Sequence, residues 1–213
     1  MKITIFGANG ATGQLLTERS LAAGHAVTAL VRKPSLFPFQ NRADLVEGSV
    51  FDPAAVAKAL EGADAVFSAL GAHSPFRNEN VLPRAIPVVV QVMQQMDVRR
   101  IIALGSAGAL PSSLDRQPAL LRWFIQKIVY TSVMKWPVYE QIMQYDVLSR
   151  SGLEWTMVLP PMLTNSCAKG AYRIDGEALP AGSSHISRSD VADFMMKQLT
   201  SRDWVGRGVY VSN

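Results

Sequence analysis

Three glycines recur at every third position in the stretch IFGANGATGQLL: Gly7, Gly10 and Gly13. The residues before them, Lys2 to Phe6, favour a strand, and those from Gln14 onward favour a helix. At such a junction each glycine has a physical job. Gly7 allows a sharp exit from the strand, Gly10 lets backbone N–H groups approach a diphosphate, and Gly13 lets the helix pack close to the sheet. The start of the helix adds free donors and a partial positive charge. The spacing G-x-x-G-x-x-G is looser than G-x-G-x-x-G, so the bare pattern says little. Its position, straight after a strand and before a helix, is what points to a phosphate-binding turn. The plain alternative is a turn whose glycines serve geometry alone.

The next informative residues lie at the end of the second apolar run, VTALVRKP, where Arg32 and Lys33 stand. A chain that selects NAD usually places Asp or Glu there, about 20 residues beyond the glycines, to bond the ribose hydroxyls. An acid would repel a 2′-phosphate, whereas a guanidinium pairs with it. Such a pair is worth about 1–4 kcal/mol at dielectrics between water and a protein surface. NADP(H) is therefore favoured over NAD(H). The alternative is a solvated basic loop tip.

A tyrosine–lysine dyad, Tyr-x-x-x-Lys, would let a phenol trade a proton at neutral pH, because the lysine lowers the tyrosine pKa. Four residues after Tyr130, Tyr139 and Tyr145 come Met134, Met143 and Ser149, and Lys135 is five residues past Tyr130. Tyr172 and Tyr210 lack the lysine as well. Alcohol–ketone interconversion by that route is not expected, nor is sugar epimerisation. The three histidines are scattered and Cys167 is the single cysteine, so neither a metal site nor a disulfide framework is expected. No nucleophile elbow with a Ser/His/Asp pattern is visible.

These residues need a scaffold, and the pattern around them alternates strand and helix. Strands are expected at Lys2–Gly7, Ala26–Arg32, Asp44–Val50, Ala65–Leu70, Arg100–Leu104 and Glu154–Leu159, with Val209–Val211 a candidate seventh. Helices are expected over Ala11–Ala23, with Ala11, Leu15 and Ala22 on one face, and over Pro53–Ala63. A long helix carries Leu82, Ile86, Val89, Met93 and Met96, with Pro87 inside it as a source of a kink. Another carries Val138, Ile142, Tyr145 and Leu148. Ser187 to Asp190 has capping-box form before a helix with Val191, Phe194, Met195 and Leu199 inward. Nearly continuous apolar strands imply cover on both faces. The expected fold is α/β, a doubly wound, mostly parallel sheet of order 3-2-1-4-5-6, with ligands beyond the strand carboxyl ends.

The chain has 213 residues, 48% hydrophobic and 18% charged, enough for one domain spanning residues 1–213. A net charge of +4 suits an anionic ligand or merely scattered surface cations. No basic run carries interleaved aromatics, so nucleic acid is not an expected partner. The longest apolar stretch, Pro118 to Met134, contains Arg122, Gln126 and Lys127 and is too short and polar to span a bilayer. With Trp136 it is a candidate apolar lid, a subunit contact, or an extra helix packed on the core. The opening strand leaves no signal peptide expected, and a reducing, cytoplasmic setting suits the lone cysteine.

The segments IFGANGATGQLL, VTALVRKP, DAVFSALGA, IIALGSAG, SGLEWTMVLPPML and ISRSDVADFMMKQL, in this order, resemble the atypical short-chain dehydrogenases, nearest to the NAD(P)H-dependent flavin reductase/biliverdin-IXβ reductase type, with NmrA-like proteins as wider relatives. GAYRIDGEALPAGSSHIS is similar to that family's penultimate hairpin and the entry to its last helix. The resemblance implies NADP(H) across the strand ends. It puts Gly7, Asn9, Gly10, Ala11, Thr12 and Gly13 on the pyrophosphate loop, Arg32 on the 2′-phosphate and Ser49 and Val50 on the adenine. Leu70, Gly71 and Ala72 fall near the ribose of the nicotinamide half, Ser106 beside the nicotinamide and substrate, and Pro160, Pro161 and Met162 on the loop over the nicotinamide. Relatives often carry Asp where this chain has Ser49, and some carry His where it has Met162. Without a side-chain acid, the expected reaction is hydride transfer to a flavin, quinone or similar planar acceptor, with Ser106 as the candidate catalytic donor. His73 and Met162 are candidate substrate contacts. A redox-sensing regulator that binds NADP(H) without turnover is the competing reading, and homo-oligomerisation stays open.

Overall fold

A computed structural model describes residues 1–72, 74 and 76–213. Six parallel strands form the body of the sheet: β1 (Lys2–Phe6), β2 (Ala26–Val31), β3 (Asp44–Glu47), β4 (Ala65–Ser68), β5 (Arg100–Leu104) and β6 (Glu154–Leu159). Two further strands extend it, β10 (Arg207–Ser212), parallel to β6, and β8 (Arg173–Asp175), antiparallel to β10. The order is β3-β2-β1-β4-β5-β6-β10-β8, so the expected 3-2-1-4-5-6 holds and the candidate seventh strand is real. A separate pair, β7 (Met162–Thr164) and β9 (His185–Ser187), runs parallel. The hairpin implied for residues 170–187 is therefore not formed. Its two strands join different sheets, because β8 completes the open edge beside β10 while β9 pairs with the segment leaving β6.

The strands read as continuous apolar runs because consecutive side chains enter two separate cores. Ile101 packs with Val66, Ile86, Met93 and Trp155 on the face covered by α2 (Pro53–Leu60), α3 (Val81–Gln95) and α5 (Lys135–Ser149). Ile102 packs with Ile3, Phe67, Val158 and Phe194 on the face covered by α1 (Ala11–Ala22) and α6 (Arg188–Lys197). Helix α3 continues through Pro87 as one element.

The buried face of α1 is Thr12, Gly13, Leu16, Thr17 and Ser20, one residue out of step with the Ala11, Leu15 and Ala22 face expected from apolar spacing. Close packing overrides hydrophobicity here. A Cβ on Gly13 would lie 2.1 Å from the Gly7 carbonyl oxygen, so this face must meet the strand end. The Thr17 hydroxyl, buried on that face, donates to the Gly13 carbonyl at 2.9 Å. Helix α1 ends at Gly24, where φ is +78°. There the N–H of Gly24 donates to the Leu21 carbonyl and that of His25 to the Ser20 carbonyl, the two bonds of a Schellman end.

The apolar segment after β5 contains α4 (Ala119–Phe124), a wider turn over Ile125–Val129, and the start of α5. Neither α4 nor that turn buries a residue fully, and Leu120, Trp123 and Phe124 are exposed. It is not a helix packed on the core. Ile125 and Tyr130 alone of this stretch pack partly against the core, among the described residues. No helix of the described residues is long and apolar enough to cross a membrane.

Gly13→Ala should cost about 3 kcal/mol or more, because the clash is with backbone that cannot swing aside. Gly24→Ala, where an added Cβ meets nothing within 4 Å, should cost about 1–2 kcal/mol for left-handed strain alone. Urea denaturation of the two variants checks the difference. Equal losses would remove the close approach as the reason for Gly13.

Candidate functional site

The carboxyl ends of β1 to β5 open into a cleft of about 600 Å³. It lies where the order reverses, with β1 flanked by β2 and β4. Gly7 leaves β1 with φ +79°, and an added Cβ there would sit 2.5 Å from the Ala69 carbonyl oxygen. Gly10 is the N-cap of α1 and offers no side chain to its N–H groups, and the first turn of the helix holds no acid. An uncapped helix start therefore faces the cleft with its donors and its partial positive charge.

Of the residues read from the sequence, Gly7, Asn9, Gly10, Ala11 and Thr12 line the first wall. Arg32 stands at the end of β2, Ser49 and Val50 after β3, and Leu70, Gly71 and Ala72 after β4, all on the same cleft. Gly13 does not line it; it lies beneath, against Gly7. Lys33 turns out to solvent and begins the short 3₁₀ turn Pro34–Leu36. Ser106 lies one residue beyond Gly105, which does line the cleft, and its hydroxyl caps nothing in the turn Ala107–Ala109. Pro160 is buried, and its carbonyl accepts from the Ala107 N–H at 2.9 Å. Pro161 is partly buried and does not reach the cleft lining. Met162 is 66% exposed and points away from it. Leu163, the next residue along β7, faces inward in its place, as alternation along a strand requires. His73 lies outside the described residues.

Several lining residues were not anticipated: Phe51, Glu79, Arg84, Gln141, Leu163 and Arg188. Arg84 comes from the first turns of α3, and its guanidinium carbon lies 4.3 Å from the Phe51 ring centroid. The start of α3 is held by a residue far along the chain. Glu140 of α5, only 1% exposed, accepts from the N–H groups of Val81 and Leu82 at 3.2 and 2.9 Å. Arg188 opens α6, and its guanidinium donates to Asn165 Oδ1 at 2.7 Å. It borders both the cleft and a second cavity of about 390 Å³ between α1 and α6. Three guanidiniums against one carboxylate, Glu79, line the cleft, a balance that suits an anionic ligand. A capping signal such as Ser187 to Asp190 could have located Arg188, since a helix start at this edge of the sheet places its first residue on the cleft.

With an uncapped helix start, a glycine cradle and Arg32 on one cleft, the comparison with known families has a structural meaning. Residues 7–202 match the family described as NAD(P)H-binding. The chain belongs to that family. Its relatives include YwnB of Bacillus subtilis strain 168, 27% identical over 206 residues, 93% of this chain and 92% of YwnB. Among solved structures, a wide-type short-chain dehydrogenase/reductase from Veillonella parvula in complex with NADP superposes with a TM-score of 0.78 at 23% identity, covering 100% of this chain and 94% of that one. SP1627 of Streptococcus pneumoniae TIGR4, a candidate NADH-flavin reductase, superposes with a TM-score of 0.74 at 23% identity, covering 100% and 99%. This NAD(P)H-binding chain shares their fold.

Among the described residues no tyrosine lines the cleft. Burial raises the pKa of Tyr130, and burial pushes Tyr210 up to about 12. A tyrosine and a lysine do meet elsewhere, where Lys197 Nζ donates to the Tyr172 hydroxyl at 3.0 Å and Tyr172 donates to Asp193 at 2.8 Å. That cluster is not part of the cleft lining. Among the described residues, no group of three or more His, Cys, Asp or Glu is placed to hold a metal ion.

Asp190 fixes the helix start that carries Arg188. Its N–H donates to Ser187 Oγ at 2.9 Å, and its carboxylate accepts from Ser187 Oγ and from the N–H groups of Lys169 and Gly170. Burial alone would raise its pKa, but these donors outweigh burial and hold it below the ordinary carboxylate value. A depressed folded pKa contributes stability that is present above the unfolded value, near 3.9, and is lost as pH falls through the folded value. Asp190→Asn should therefore cost about 1–3 kcal/mol at pH 7, and the gap from the native protein should narrow below pH 4. Urea midpoints at pH 7 and pH 3 check this, and a gap that is constant with pH would contradict it.

Proposed function

We propose that the protein is an NADPH-dependent reductase of flavins, quinones or comparable planar conjugated acceptors. The observation that carries this reading is the uncapped start of α1 facing a cleft that also holds Arg32. The fit to a dinucleotide rests on the cradle itself. An added Cβ at Gly10 would press on the Gly7 carbonyl oxygen at 3.3 Å, so the backbone is bare where a diphosphate has to come close. In this reading the backbone donors from Gly7 to Thr12 hold the diphosphate, with Gly13 bracing the loop from beneath. Arg32, with Lys33 nearby, meets the 2′-phosphate. Ser49 and Val50 flank the adenine, and Leu70, Gly71 and Ala72 flank the second ribose.

When bound, NADPH supplies a hydride to an acceptor that takes the charge into its own π-system and collects its proton from water. The chain's part is to orient two flat rings and keep bulk water from between them. Gln141 on the cleft wall and Ser106, one residue beyond Gly105, supply an amide and a hydroxyl to donate to the carboxamide or the acceptor. Pro160 and Pro161 carry the chain from β6 into β7, which sets Leu163 on the cleft as the apolar contact and Met162 on the outer side. The lack of a tuned phenol supports an acceptor of this kind over a carbonyl that needs an acid. The candidate flavin reductase among the structural neighbours points the same way.

Two measurements test the reading. Mixing the protein and NADPH with FMN, riboflavin or a quinone should consume the reduced nicotinamide absorbance. Tight NADPH binding with no oxidation across that panel would replace the enzyme with a redox-sensing NADP(H)-binding regulator. Arg32→Asp should weaken NADPH by about tenfold to several hundredfold, following the value of a phosphate–guanidinium pair, and NADH by no more than about threefold. Equal losses in calorimetric titrations would contradict the cofactor preference.

A further inference from the structure

The end of the cleft between β3 and α3 carries a feature that a diphosphate and a 2′-phosphate do not use. Phe51 follows directly on Ser49 and Val50, and 36% of it remains exposed although it is a large apolar ring. Arg84 reaches it from α3 and lays its guanidinium on the ring, with the guanidinium carbon 4.3 Å from the centroid. Both residues line the cleft together with Ser49, Val50 and Arg32. The result is a flat, partly apolar, π-rich shelf beside the residue proposed for the 2′-phosphate. It is braced on one side by the turn after β3 and on the other by a helix whose start is fixed by buried Glu140.

The groups that could read a base by its edge are few, and each already holds a backbone N–H, while the position after Gly48 carries the uncharged Ser49 rather than a carboxylate. The Ser49 hydroxyl already accepts from the Phe51 N–H at 3.2 Å. The Glu79 carboxylate, the one acid on this cleft, accepts from the Ser74 N–H at 3.1 Å through Oε1. A purine here meets faces rather than a dedicated acceptor for its exocyclic amine. Stacking on an aromatic or guanidinium face tolerates a change of base, because every base has a π-face.

We propose that Phe51 and Arg84 form the base-binding shelf of this cleft, and that the protein recognises its dinucleotide by purine stacking rather than by the 6-amino group. The inference rests on the dinucleotide reading above. Its consequence is a cofactor site that accepts hypoxanthine in place of adenine.

Calorimetric titration of the native protein, Phe51→Ala and Arg84→Ala with NADPH, NADH and the hypoxanthine analogue of NADPH tests it. Thermal melts run alongside confirm that these surface variants stay folded. The native protein should bind the hypoxanthine analogue within about threefold of NADPH. Each variant should weaken NADPH and NADH by the same factor, roughly five- to hundredfold, the value of one stacked base. A tenfold or greater preference for adenine would overturn the proposal and point to Glu79 or backbone as an edge reader. A loss in Arg84→Ala confined to NADPH would overturn it too, making Arg84 a second phosphate partner. Dinucleotide binding left unchanged by Phe51→Ala would overturn the shelf alone and leave the proposed function standing. No binding of either reduced dinucleotide by the native protein would overturn both. Tight binding without turnover would remove the enzyme and leave the shelf in place.

Discussion

Everything on the first wall of the cleft depends on one close approach, the contact between the start of α1 and the end of β1. Gly13 lies so near the Gly7 carbonyl that no side chain fits between them, and Gly7 itself lies against the Ala69 backbone at the end of β4. Three backbone segments are thereby pulled together at the point where the strand order reverses. The helix is aimed at the cleft as a consequence, and its uncapped end points at whatever anion enters. The same approach explains why α1 buries Thr12, Thr17 and Ser20, which a helix selected for hydrophobic cover alone would not present. The Thr17 hydroxyl stays satisfied by its bond to Gly13, so the burial leaves no orphaned donor there.

The second wall is set by buried charges that act over long sequence distances. Glu140 on α5 holds the start of α3, a helix whose Asn80 N-cap has left-handed backbone (φ +49°) and makes no side-chain cap bond. A carboxylate at a helix start is favoured by the helix dipole as well as by the two bonds it accepts. Helix α6 is capped locally: Ser187 Oγ accepts from the Asp190 N–H and donates to the Asp190 carboxylate, which ties the segment Lys169–Gly170 to that start. The far end of α6 is tied by Arg100, which is 6% exposed. Its guanidinium donates to the Gln198 carbonyl at 2.7 Å and to Thr156 Oγ1 at 2.9 Å. Burial lowers its pKa to about 10, which leaves it charged at neutral pH. Helix α6 is thus held at both ends, and the position of Arg188 on the cleft follows from that.

The parts legible in the sequence are those whose physics is local. Central strands showed as apolar runs because both of their faces are covered, and the glycine turn showed because its backbone demands fall within seven residues, Gly7 to Gly13. The capping box of α6 was visible for the same reason. Three-residue strands such as β8, Arg173–Asp175, carry too little pattern to be seen, and the hairpin inferred there was divided between two sheets by edge pairing. The face of α1 was misjudged because tight backbone packing selects small and polar residues that a hydrophobic period ignores. On the cleft, Arg32, Ser49 and Val50 could be placed from strand ends. Phe51, Arg84 and Gln141 could not, since they come from the turn after β3, from α3 and from α5, which converge only when the sheet is wound. That Leu163 rather than Met162 lines the cleft follows from the β7–β9 pairing, which is not visible in a proline-rich loop.

The distribution of ionisable groups constrains the chemistry more than any single residue does. Guanidiniums collect on the cleft, while the acids that balance the fold are used up as caps and ion pairs away from it. Among the described residues the tyrosine–lysine hydrogen bond, Tyr172 with Lys197, is closed into a cluster with Asp193 outside the cleft, and burial raises that phenol's pKa as well. A reaction in this cleft would thus meet a positive field and hydrogen-bond donors but no tuned acid. On the proposed reading, that field would stabilise negative charge spread over an acceptor's rings as it forms, with water supplying the proton afterwards. A localised alkoxide would need its proton in the same step, and among the described residues no tyrosine lines the cleft to give it.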